Sequence, residues 1–389
     1  MKNIAIIGGG AAGFFAAITA KKQNKNNEVF IFERSKRVLA KVAITGGGRC
    51  NVTNSFNEIS SLTTAYPRGH KLLKRLFNIF DYTSCYQWFE EHGVKLITQE
   101  DNCVFPQSQD AQSIVQCLVN EAHKLGIKVI TDHWLENIEA QENGTICLHF
   151  KDKGKRCFDA VAITTGGSPR IEPLQYLAKC GHKIEQPVPS LFTFNINNNS
   201  LKSLMGTVIP NASLHIPGSK INSSGALLIT HWGISGPATL KLSSYAARIA
   251  KEQNYKIPIA INWANGFSIA EVETLLKDTI QNNPQKQISS IRFLDITNRV
   301  WTFLLSRADI DCQKKCNELS KKMINKLIET LTNDIYTTNG KGAFKEEFVT
   351  CGGVSLKSIN SNTLESKHIP NLYFAGEVLD IDAVTGGFN

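Results

Sequence analysis

The sequence predicts an α/β fold that begins with a Rossmann-type βαβ unit. An apolar stretch at Ile4–Ile7 meets a glycine-rich turn at Gly8–Gly13, a helical pattern follows, and a second apolar stretch covers Val29–Phe32. The acid Glu33 ends this second stretch. Strand, glycine turn, helix, strand and acid in this order are typical of a dinucleotide-binding unit. The alternative is an ordinary βαβ turn that binds no ligand.

Each key residue of this unit has a chemical role in the prediction. Gly8 lets the chain turn off the first strand, Gly10 lets the backbone approach a pyrophosphate, and Gly13 lets the helix pack closely on the sheet. The start of the helix offers free N–H groups and the positive end of its dipole to phosphates. The carboxylate of Glu33 is placed to accept hydrogen bonds from both hydroxyls of an adenosine ribose.

Length and composition indicate a globular protein of several domains. The chain has 389 residues, which predicts two or three domains, and its hydrophobic content of 42% is typical of a folded core. The formal net charge is +9, but the Lys and Arg residues are scattered and form no run of five or six. We therefore expect a solvated basic surface and disfavour nucleic acid as a partner, while an anionic cofactor also suits a basic pocket.

The uncharged segment Asn3–Ala20 follows Lys2 and resembles a signal peptide or a short membrane span. Three consecutive glycines at Gly8–Gly10 argue against both, so we expect a cytoplasmic protein without a membrane partner. The ten cysteines form no CxxC pair, and no His or Cys cluster completes a metal site around Cys312 and Cys316. We expect reduced structural thiols and no metal.

A second glycine-rich loop covers Thr45–Asn54 and places three glycines next to Arg49. Its N–H groups and guanidinium are suited to wrap an anion. The loop lies just beyond Glu33, so it is interpreted as a second clamp on the same cofactor.

Helices and strands alternate after this loop. Helical spacing predicts two helices over residues 70–92 and one over 110–125. Residues 145–150 and 158–164 alternate like an antiparallel pair of strands. The second of these runs leads into another glycine corner at Thr164–Gly167.

The pattern changes after Pro187. Short β-like runs separated by Asn, Gly and Pro predict an inserted sheet or small barrel, and residues 268–282 and 286–330 show helical spacing of Leu and Ile.

One segment of the insertion, at residues 230–238, reads THWGISGPA and leads into a helix, with Ser235 as a candidate N-cap. Within it, His231 either belongs to this helix start or faces a substrate.

The C-terminal segment returns to the opening pattern. A predicted strand ends in Gly376 and Glu377, which are suited to hydrogen-bond a ribityl chain. Thr385, Gly386 and Gly387 can present N–H groups to the electron-rich edge of a flavin and so stabilise the charge that appears on reduction.

With both ends considered, the chain resembles the aminoacetone oxidase-like family of bacterial FAD flavoproteins, which also includes bile-acid enone reductases. The motifs that carry this resemblance span nearly the whole chain in the family's order. They are GGGAAG at Gly8–Gly13, TGGGRCNVTN at Thr45–Asn54, TTGG at Thr164–Gly167, THWGISGPA at Thr230–Ala238, VTCGGVSL at Val349–Leu356 and LYFAGEVLDIDAVTGGFN at Leu372–Asn389.

The resemblance implies a discontinuous FAD-binding Rossmann-type domain, built from residues 1–190 and 345–389 at the two chain ends. An inserted substrate domain at 191–344 is expected to be β-rich and barrel-like over 191–265 and helical over 266–335. Similar proteins continue past the GGFN sequence with a helix, whereas this sequence ends there.

The resemblance also implies which residues bind FAD. By position they are Gly8, Gly10, Ala12 and Gly13 for the pyrophosphate, Glu33 and the backbone of Leu135 for the adenosine, Arg49, Asn51 and Thr53 for the middle of the cofactor, Gly376 and Glu377 for the ribityl chain, and Gly386, Gly387, Phe388 and Asn389 for the isoalloxazine. We also assign Arg34, Lys41, Cys50, Thr165, Gly166 and Thr385 to the cofactor.

These observations predict an FAD-dependent oxidoreductase that moves a hydride between a small organic substrate, an amine or an activated C=C compound, and N5 of the flavin. His231 is the candidate acid or base. An oxidase and a reductase that takes electrons from transiently bound NAD(P)H both remain open, as does a monomer or a homodimer. The alternatives from other classes are an FAD protein that modifies tRNA or binds nucleic acid, and a flavin sensor without turnover.

Overall fold

A computed structural model describes residues 1–342 and 349–389. The chain divides into two compact units, one formed by Met1–Pro189 and Val349–Asn389 and the other by Ser190–Phe348. The domain boundary expected between residues 344 and 345 lies outside the described residues.

The strands, numbered along the chain, are β1 Asn3–Ile7, β2 Glu28–Phe32, β3 Thr53–Asn54, β4 Leu96–Thr98, β5 Cys103–Pro106, β6 Lys128–Ile130, β7 Leu135–Ala140, β8 Ile146–Phe150, β9 Gly154–Phe158, β10 Ala160–Ile163, β11 Ile184–Ser190, β12 Phe194–Asn195, β13 Val208–His215, β14 Asn222–Ile229, β15 Gly233–Ser235, β16 Pro258–Asn262, β17 Asp334–Thr337, β18 Val349–Val354 and β19 Leu372–Phe374.

The α-helices are α1 Ala11–Gln23, α2 Ala40–Ile44, α3 Leu62–Ala65, α4 His70–Leu76, α5 Tyr82–Glu91, α6 Gln112–Lys124, α7 Gln175–Lys179, α8 Asn199–Lys202, α9 Pro237–Tyr245, α10 Ala247–Glu252, α11 Ile269–Gln281, α12 Asn298–Arg307 and α13 Lys321–Thr332. Short 3-10 helices cover Thr45–Gly48, Glu172–Leu174, Ile288–Ser290, Cys316–Glu318 and Leu356–Ser358.

A five-stranded parallel sheet in the order β19-β10-β1-β2-β6 forms the centre of the first unit. Strand β1 lies in the middle of this sheet, where it pairs with β2 on one side and β10 on the other. Its residues Ala5, Ile6 and Ile7 are all buried, as an apolar central strand requires. On one face, α1 and α6 cover the sheet through an apolar cluster that includes Phe14, Ile18 and Leu118. The predicted α/β fold with a parallel Rossmann-type sheet is therefore confirmed.

The pairing expected for residues 145–150 and 158–164 is wrong. Strand β8 lies between β7 and β9 in an antiparallel three-stranded sheet, while β10 joins the parallel sheet between β1 and β19. The physical reason is the tight turn after Phe150, which folds β9 directly back onto β8 and leaves the uniformly apolar β10 for the buried parallel sheet.

The same hairpin corrects the expectation that all thiols are reduced. Cys147 on β8 lies directly opposite Cys157 on β9, and the two are joined in a disulfide. The spacing of the two cysteines along the chain does not indicate this bond, because opposition across a hairpin depends on the register of the turn. The other eight cysteines, all among the described residues, are not in disulfides.

A six-stranded sheet in the order β12-β15-β14-β13-β16-β17 builds the second unit. The chain beyond β17 returns to β12, where Asn195 N donates to Gly340 O at 2.9 Å and Gly342 N donates to Thr193 O at 2.8 Å. These bonds join β12 to the segment that follows β17, so this segment brings the two ends of the sheet together, as in a small barrel. Its hydrophobic core contains the fully buried Trp263 and also Trp301, which belongs to α12.

The start of α9 differs from the prediction in its cap. Ser235 lies in β15 and pairs with β14, so it is not the N-cap. Gly236 takes that position with a φ of 92°, and Pro237 fills the first helical turn. The backbone of Ser235 pairs with that of Leu228 across β14 and β15, so Ser235 is held in the strand and does not cap the helix.

Among residues 1–342 and 349–389, no helix is long and apolar enough to cross a membrane. Within the same part of the chain, no group of three or more His, Cys, Asp or Glu side chains could hold a metal ion.

Candidate cofactor site

The glycine turn leaves the start of α1 open. A Cβ on Gly13 would lie 1.9 Å from Gly8 O, so only glycine allows the helix to approach the end of β1 this closely. In contrast, a Cβ on Gly10 would meet no atom within 4 Å, and no side chain caps the helix there. The free N–H groups of the first turn therefore face open space, as binding of a diphosphate requires.

The carboxylate of Glu33 is fixed beside this turn. Its Oε2 accepts a hydrogen bond from Gly9 N at 2.8 Å, and its Oε1 accepts from Ser35 N and Ser35 Oγ at 2.9 Å each. A carboxylate has about four acceptor positions, so capacity remains for a ribose hydroxyl. Glu33 thus lies where the sequence predicts the adenosine side of the site.

The segment before β7 lies against the backbone next to Glu33. His133 N donates to Glu33 O at 2.9 Å, and the guanidinium of Arg34 lies 5.5 Å from the ring centre of the half-exposed Trp134. Leu135 follows directly, with 6% of its surface exposed. The structure therefore places Arg34 and the backbone of Leu135 near Glu33, on the same side of the unit.

Glu377 connects three separate segments. Its Oε1 accepts from Thr350 N at 3.0 Å, and its Oε2 accepts from Gly167 N at 3.2 Å and lies 3.5 Å from Lys41 Nζ. The side chain therefore braces the glycine corner rather than standing free for a ligand. The neighbouring Gly376 approaches α1 so closely that a Cβ on it would lie 2.8 Å from the Cβ of Ala12.

Thr165 and Gly166 form the exposed part of this corner. A Cβ on Gly8 would lie 2.9 Å from Thr165 Cα, whereas a Cβ on Gly166 would meet no atom within 4 Å. Thr164 anchors the corner, since its Oγ1 donates to Ile7 O and Gly8 O at 3.0 Å. Both predicted residues thus border the glycine turn of β1 and α1.

The loop Thr45–Asn54 holds the C-terminal segment. The carboxamide of Asn51 accepts from Gly387 N at 3.1 Å and donates to Thr53 O at 3.0 Å. A Cβ on Gly387 would lie 2.5 Å from Thr53 O, so glycine is required for this approach. Asn54 Nδ2 donates to Gly386 O at 2.9 Å. The two segments that the sequence assigned to the middle and the flavin end of the cofactor are therefore in direct contact.

Arg49 and Cys50 have opposite environments within this loop. The guanidinium of Arg49 is exposed and stacks over Phe105 at 4.2 Å, with Nε donating to Gly46 O. It remains accessible to an anion. Cys50 is buried, and burial raises the pKa of its thiol to about 12. The thiol of Cys50 is therefore not available to a cofactor.

Phe388 anchors the end of the chain in an aromatic cluster. Its ring packs edge-on against Phe56 and Tyr66, and Tyr66 Oη donates to Phe388 O at 2.9 Å. The side chain of Asn389 bonds the backbone of Ala383 on both sides, with Ala383 N donating to its Oδ1 at 2.9 Å. These contacts fix the conformation of the turn that contains Thr385, Gly386 and Gly387.

His231 belongs to the second unit. It follows Thr230 in the tight turn between β14 and β15, where Thr230 N donates to Gly233 O at 2.8 Å. The imidazole is exposed and contacts the edge of Trp232 at 4.4 Å between ring centres. Its role as an acid or base stays a prediction.

All the predicted cofactor residues lie in the first unit, and they fit an extended dinucleotide. The unit offers an open helix start, a fixed carboxylate for a ribose, an exposed Arg49 and a rigid C-terminal turn. The family model described as HI0933-like protein Rossmann domain matches residues 2–389. The chain belongs to this family.

HI0933-like proteins with curated names match the chain over nearly their whole length. A ribosomal RNA dihydrouridine synthase from Haemophilus influenzae is 28% identical, with coverage of 99% of this chain and 94% of the relative. A protein of the same name from Escherichia coli is 27% identical, with coverage of 99% of this chain and 93% of the relative. A 3-dehydro-bile acid delta(4,6)-reductase from Clostridium scindens is 24% identical, with coverage of 100% of this chain and 95% of the relative.

The HI0933-like Rossmann domain is of the FAD-binding type, and the family is one of oxidoreductases. The expected resemblance to bile-acid enone reductases is confirmed, while the aminoacetone oxidase part of it stays a prediction. Among solved structures, a 3-ketosteroid-delta4-(5alpha)-dehydrogenase from Rhodococcus jostii RHA1 aligns with 14% identity and a TM-score of 0.49, over 100% of this chain and 92% of that chain.

Sequence reasoning missed several residues that position this HI0933-like site. Arg68 and Asp382 form a buried ion pair that ties the C-terminal segment to the chain before α4. Asn54 and Tyr66 bond the backbone of the last four residues. No local pattern identifies the Arg68–Asp382 pair, but the position of Asn54 in the TGGGRCNVTN motif was a usable signal.

Proposed function

We propose that this protein is an FAD-dependent reductase that saturates a carbon–carbon double bond conjugated to a carbonyl group, and that its substrate is a uracil base of ribosomal RNA. The observation that carries the proposal is the match over more than nine tenths of two relatives named ribosomal RNA dihydrouridine synthase. The substrate departs from the sequence-based expectation, which disfavoured nucleic acid.

The chemistry implied by the relatives' names has a common form. Dihydrouridine is uridine whose C5–C6 double bond, conjugated to the C4 carbonyl, has been reduced. A dienone of a 3-dehydro-bile acid also carries double bonds conjugated to a carbonyl. In both cases a hydride adds to the carbon remote from the carbonyl, and a proton adds to the carbon next to it. This shared reaction favours a reductase over an oxidase of amines.

When bound, FAD supplies the hydride for this reaction from N5 of its reduced ring. The chain's own residues bind and orient the cofactor. The open start of α1 holds the diphosphate, Glu33 holds the adenosine ribose, and Arg49 holds the middle of the cofactor. The turn at Gly386 and Gly387, fixed by Asn51 and Asn54, would border the flavin ring, although the Gly387 N–H itself is donated to Asn51.

One hydride, which carries two electrons, and one proton must be supplied in each cycle. We propose NAD(P)H as the source of the electrons, bound transiently, with the balance NAD(P)H plus H⁺ plus uridine giving NAD(P)⁺ plus dihydrouridine. His231 is the proposed donor of the proton to C5. The motivation is its exposed imidazole within a turn that Thr230 and Gly233 fix rigidly.

Nucleoside analysis of ribosomal RNA tests the proposed function. RNA is purified from cells with and without the gene, digested to nucleosides and analysed by mass spectrometry. We expect a dihydrouridine that is lost on deletion and restored by the wild-type gene. A dihydrouridine content that is equal in both strains refutes the substrate.

A second candidate, reduction of a small enone, is favoured by the relative named as a bile-acid reductase, which matches 100% of this chain. Purified protein is mixed with NADPH and a 3-oxo-Δ4 steroid under nitrogen. Oxidation of NADPH over many turnovers supports this candidate. If NADPH is not oxidised with the steroid but dihydrouridine forms in RNA, reduction of a small enone is excluded. If neither substrate is turned over, the result favours the flavin sensor.

A further inference from the structure

A small cavity of about 260 Å³ lies between α5 and the three-stranded sheet β3-β5-β4 of the first unit. Thr53 and Thr98 are the partners of Val104 on its two sides, so the three side chains share the face of the sheet that forms the floor. Tyr86 and Glu90 of α5 are about one helical turn apart and belong to the facing wall. We call this space the α5 cavity.

The walls of the α5 cavity are held in place by the surrounding structure. Tyr86 Oη donates to Leu96 O at 2.8 Å, and the ring of Tyr82, which also lines the cavity, stacks on Phe56 with 4.6 Å between ring centres. Val104 has 1% of its surface exposed, so the floor is part of a packed core. A ligand therefore meets a preformed surface, which lowers the entropy cost of binding.

Glu90 brings a negative charge to the cavity. Across residues 1–342 and 349–389, no Lys, Arg or His side chain pairs with its carboxylate, and no donor forms a hydrogen bond with it. Glu90 also lies in the last turn of α5, where the negative end of the helix dipole adds to its charge. Burial, and after it the charge of Glu90, raises the pKa of Tyr86, so the carboxylate acts on the aromatic wall.

The sequence around the cavity is acidic, against the basic balance of the whole chain. Residues 81–102 supply α5 and β4 and contain five Asp and Glu residues but a single Lys. The whole chain has 34 Asp and Glu residues and 43 Lys and Arg residues. The α5 cavity is therefore a locally negative site on a basic protein, and it favours cations over phosphates.

The lining of the cavity selects the chemistry of a ligand. A carboxylate forms charge-assisted hydrogen bonds with an ammonium group, and aromatic rings attract a cation that lies over their faces. The valine and threonine side chains of the floor suit a hydrocarbon body. Sites for drug-sized ligands have volumes of about 300–1,000 Å³, so this cavity suits a smaller molecule.

We infer that the α5 cavity binds a small organic ammonium ion. The ammonium group pairs with Glu90, and the hydrocarbon body lies against the rings of Tyr82 and Tyr86. The same carboxylate disfavours a phosphate or a carboxylate in this place.

The α5 cavity is distinct from the turn assigned to the flavin, although the two share a wall. Within the described part of the chain, residues 385–389 are not among those that line the cavity. Asn54 does line it, and Asn54 Nδ2 donates to Gly386 O at 2.9 Å. The inference therefore does not depend on the substrate proposed above. Its test uses FAD-loaded protein, so that the shared wall keeps its cofactor.

Three ligands of similar shape and different charge test the inference. They are 2-phenylethylamine, 2-phenylethanol and 3-phenylpropionate, and binding of each is measured by isothermal titration calorimetry near neutral pH, where the amine is protonated. A ligand of about ten non-hydrogen atoms is expected to bind with a dissociation constant on the order of 1 mM or below. We expect one site for the amine and at least about tenfold weaker binding of the alcohol and the carboxylate.

Two variants of neighbouring acids locate the site. Glu90→Gln should reduce the affinity for the amine about tenfold, to the level of the alcohol. The control is Glu91→Gln, which removes the same charge from the same helix. Glu91 does not line the described cavity and accepts from Gln87 Nε2 at 2.8 Å, a bond that the substituted amide can also accept. The control should change the affinity by less than about twofold.

Circular dichroism and flavin content establish that both variants fold. Equal affinities of wild-type protein for the three ligands overturn the inference, and so does an amine that shows no binding up to about 10 mM. Equal losses in the two variants also overturn it, because the effect then comes from the general acidity of α5. Because the comparison of ligands uses wild-type protein, it decides the question even when a variant fails to fold.

Discussion

The buried ion pair between Arg68 and Asp382 is the contact whose removal should affect the cofactor site most. The Asp382 side chain is 0% exposed and that of Arg68 is 12% exposed, so an Asp382→Asn substitution removes a carboxylate that compensates the Arg68 cation in a low-dielectric environment. Removing one partner of a buried pair typically costs about 3–5 kcal/mol, and we expect about 3 kcal/mol here because the Arg68 side chain keeps slight contact with water.

Urea unfolding, followed by circular dichroism, measures this loss, and a fluorescence titration measures FAD affinity in the same samples. Affinity should fall because Asp382 holds the segment that leads to Gly386 and Gly387. The matched control is Glu273→Gln, which breaks the pair between Glu273 and Lys277 on α11, exposed by 43% and 47%. Exposed pairs contribute little, so no measurable change is expected. Equal effects of the two substitutions would refute the reasoning.

Three further predictions concern single side chains of the site. Gly13→Ala should destabilise the fold and abolish FAD retention, because its Cβ would lie 1.9 Å from a carbonyl oxygen, whereas Gly10→Ala should fold normally by circular dichroism and weaken FAD binding only, because its Cβ would enter the open space assigned to the diphosphate. Cys50 should resist iodoacetamide at pH 8 until the protein is unfolded, since burial raises its thiol pKa to about 12; rapid native labelling seen by mass spectrometry would contradict this. Tyr66→Phe removes the bond to Phe388 O and should weaken FAD binding by about 1 kcal/mol in a calorimetric titration, while unchanged affinity would exclude a positioning role.

The βαβ unit was predictable because its determinants are local. The glycine spacing at Gly8, Gly10 and Gly13 and the acid at Glu33 lie within one short stretch, and each position has a steric or chemical requirement that limits the choice of residue. The structure confirms the strands and the helix between them. The local sequence was therefore enough to predict both the fold class and the diphosphate and adenosine end of the candidate site.

Strand partners were predicted less well for a physical reason. Alternation of apolar residues reports that a strand is half buried, but it does not report which strand lies beside it. Residues 158–164 illustrate this, because the run includes the end of β9 and all of β10, which belong to different sheets. The disulfide between Cys147 and Cys157 was missed for the same reason, since it depends on register across a hairpin.

Long-range polar contacts left no signal in the sequence. The acid at Glu377 was recognised as part of the site, yet its bond to Gly167 N spans 210 positions and could not be foreseen. The pair of Arg68 and Asp382 spans 314 positions, and although Asp382 lies in the C-terminal motif, nothing in that motif indicates Arg68 as its partner. Sequence patterns predicted which residues border the cofactor, but they did not distinguish residues that could face it from residues, such as Glu377, that brace the surrounding backbone.

The topology of the first unit explains why both chain ends must be present for a cofactor site. Strand β19 lies beside β10 at one end of the five-stranded parallel sheet, so this end of the sheet is completed by residues that follow the whole insertion. The turn after β19 then places Gly376 against Ala12 at the start of α1. The N-terminal glycine motif alone specifies the open start of a helix. The C-terminal segment bounds this helix start through the contact of Gly376 with Ala12, so both chain ends are needed to form the phosphate end of the site.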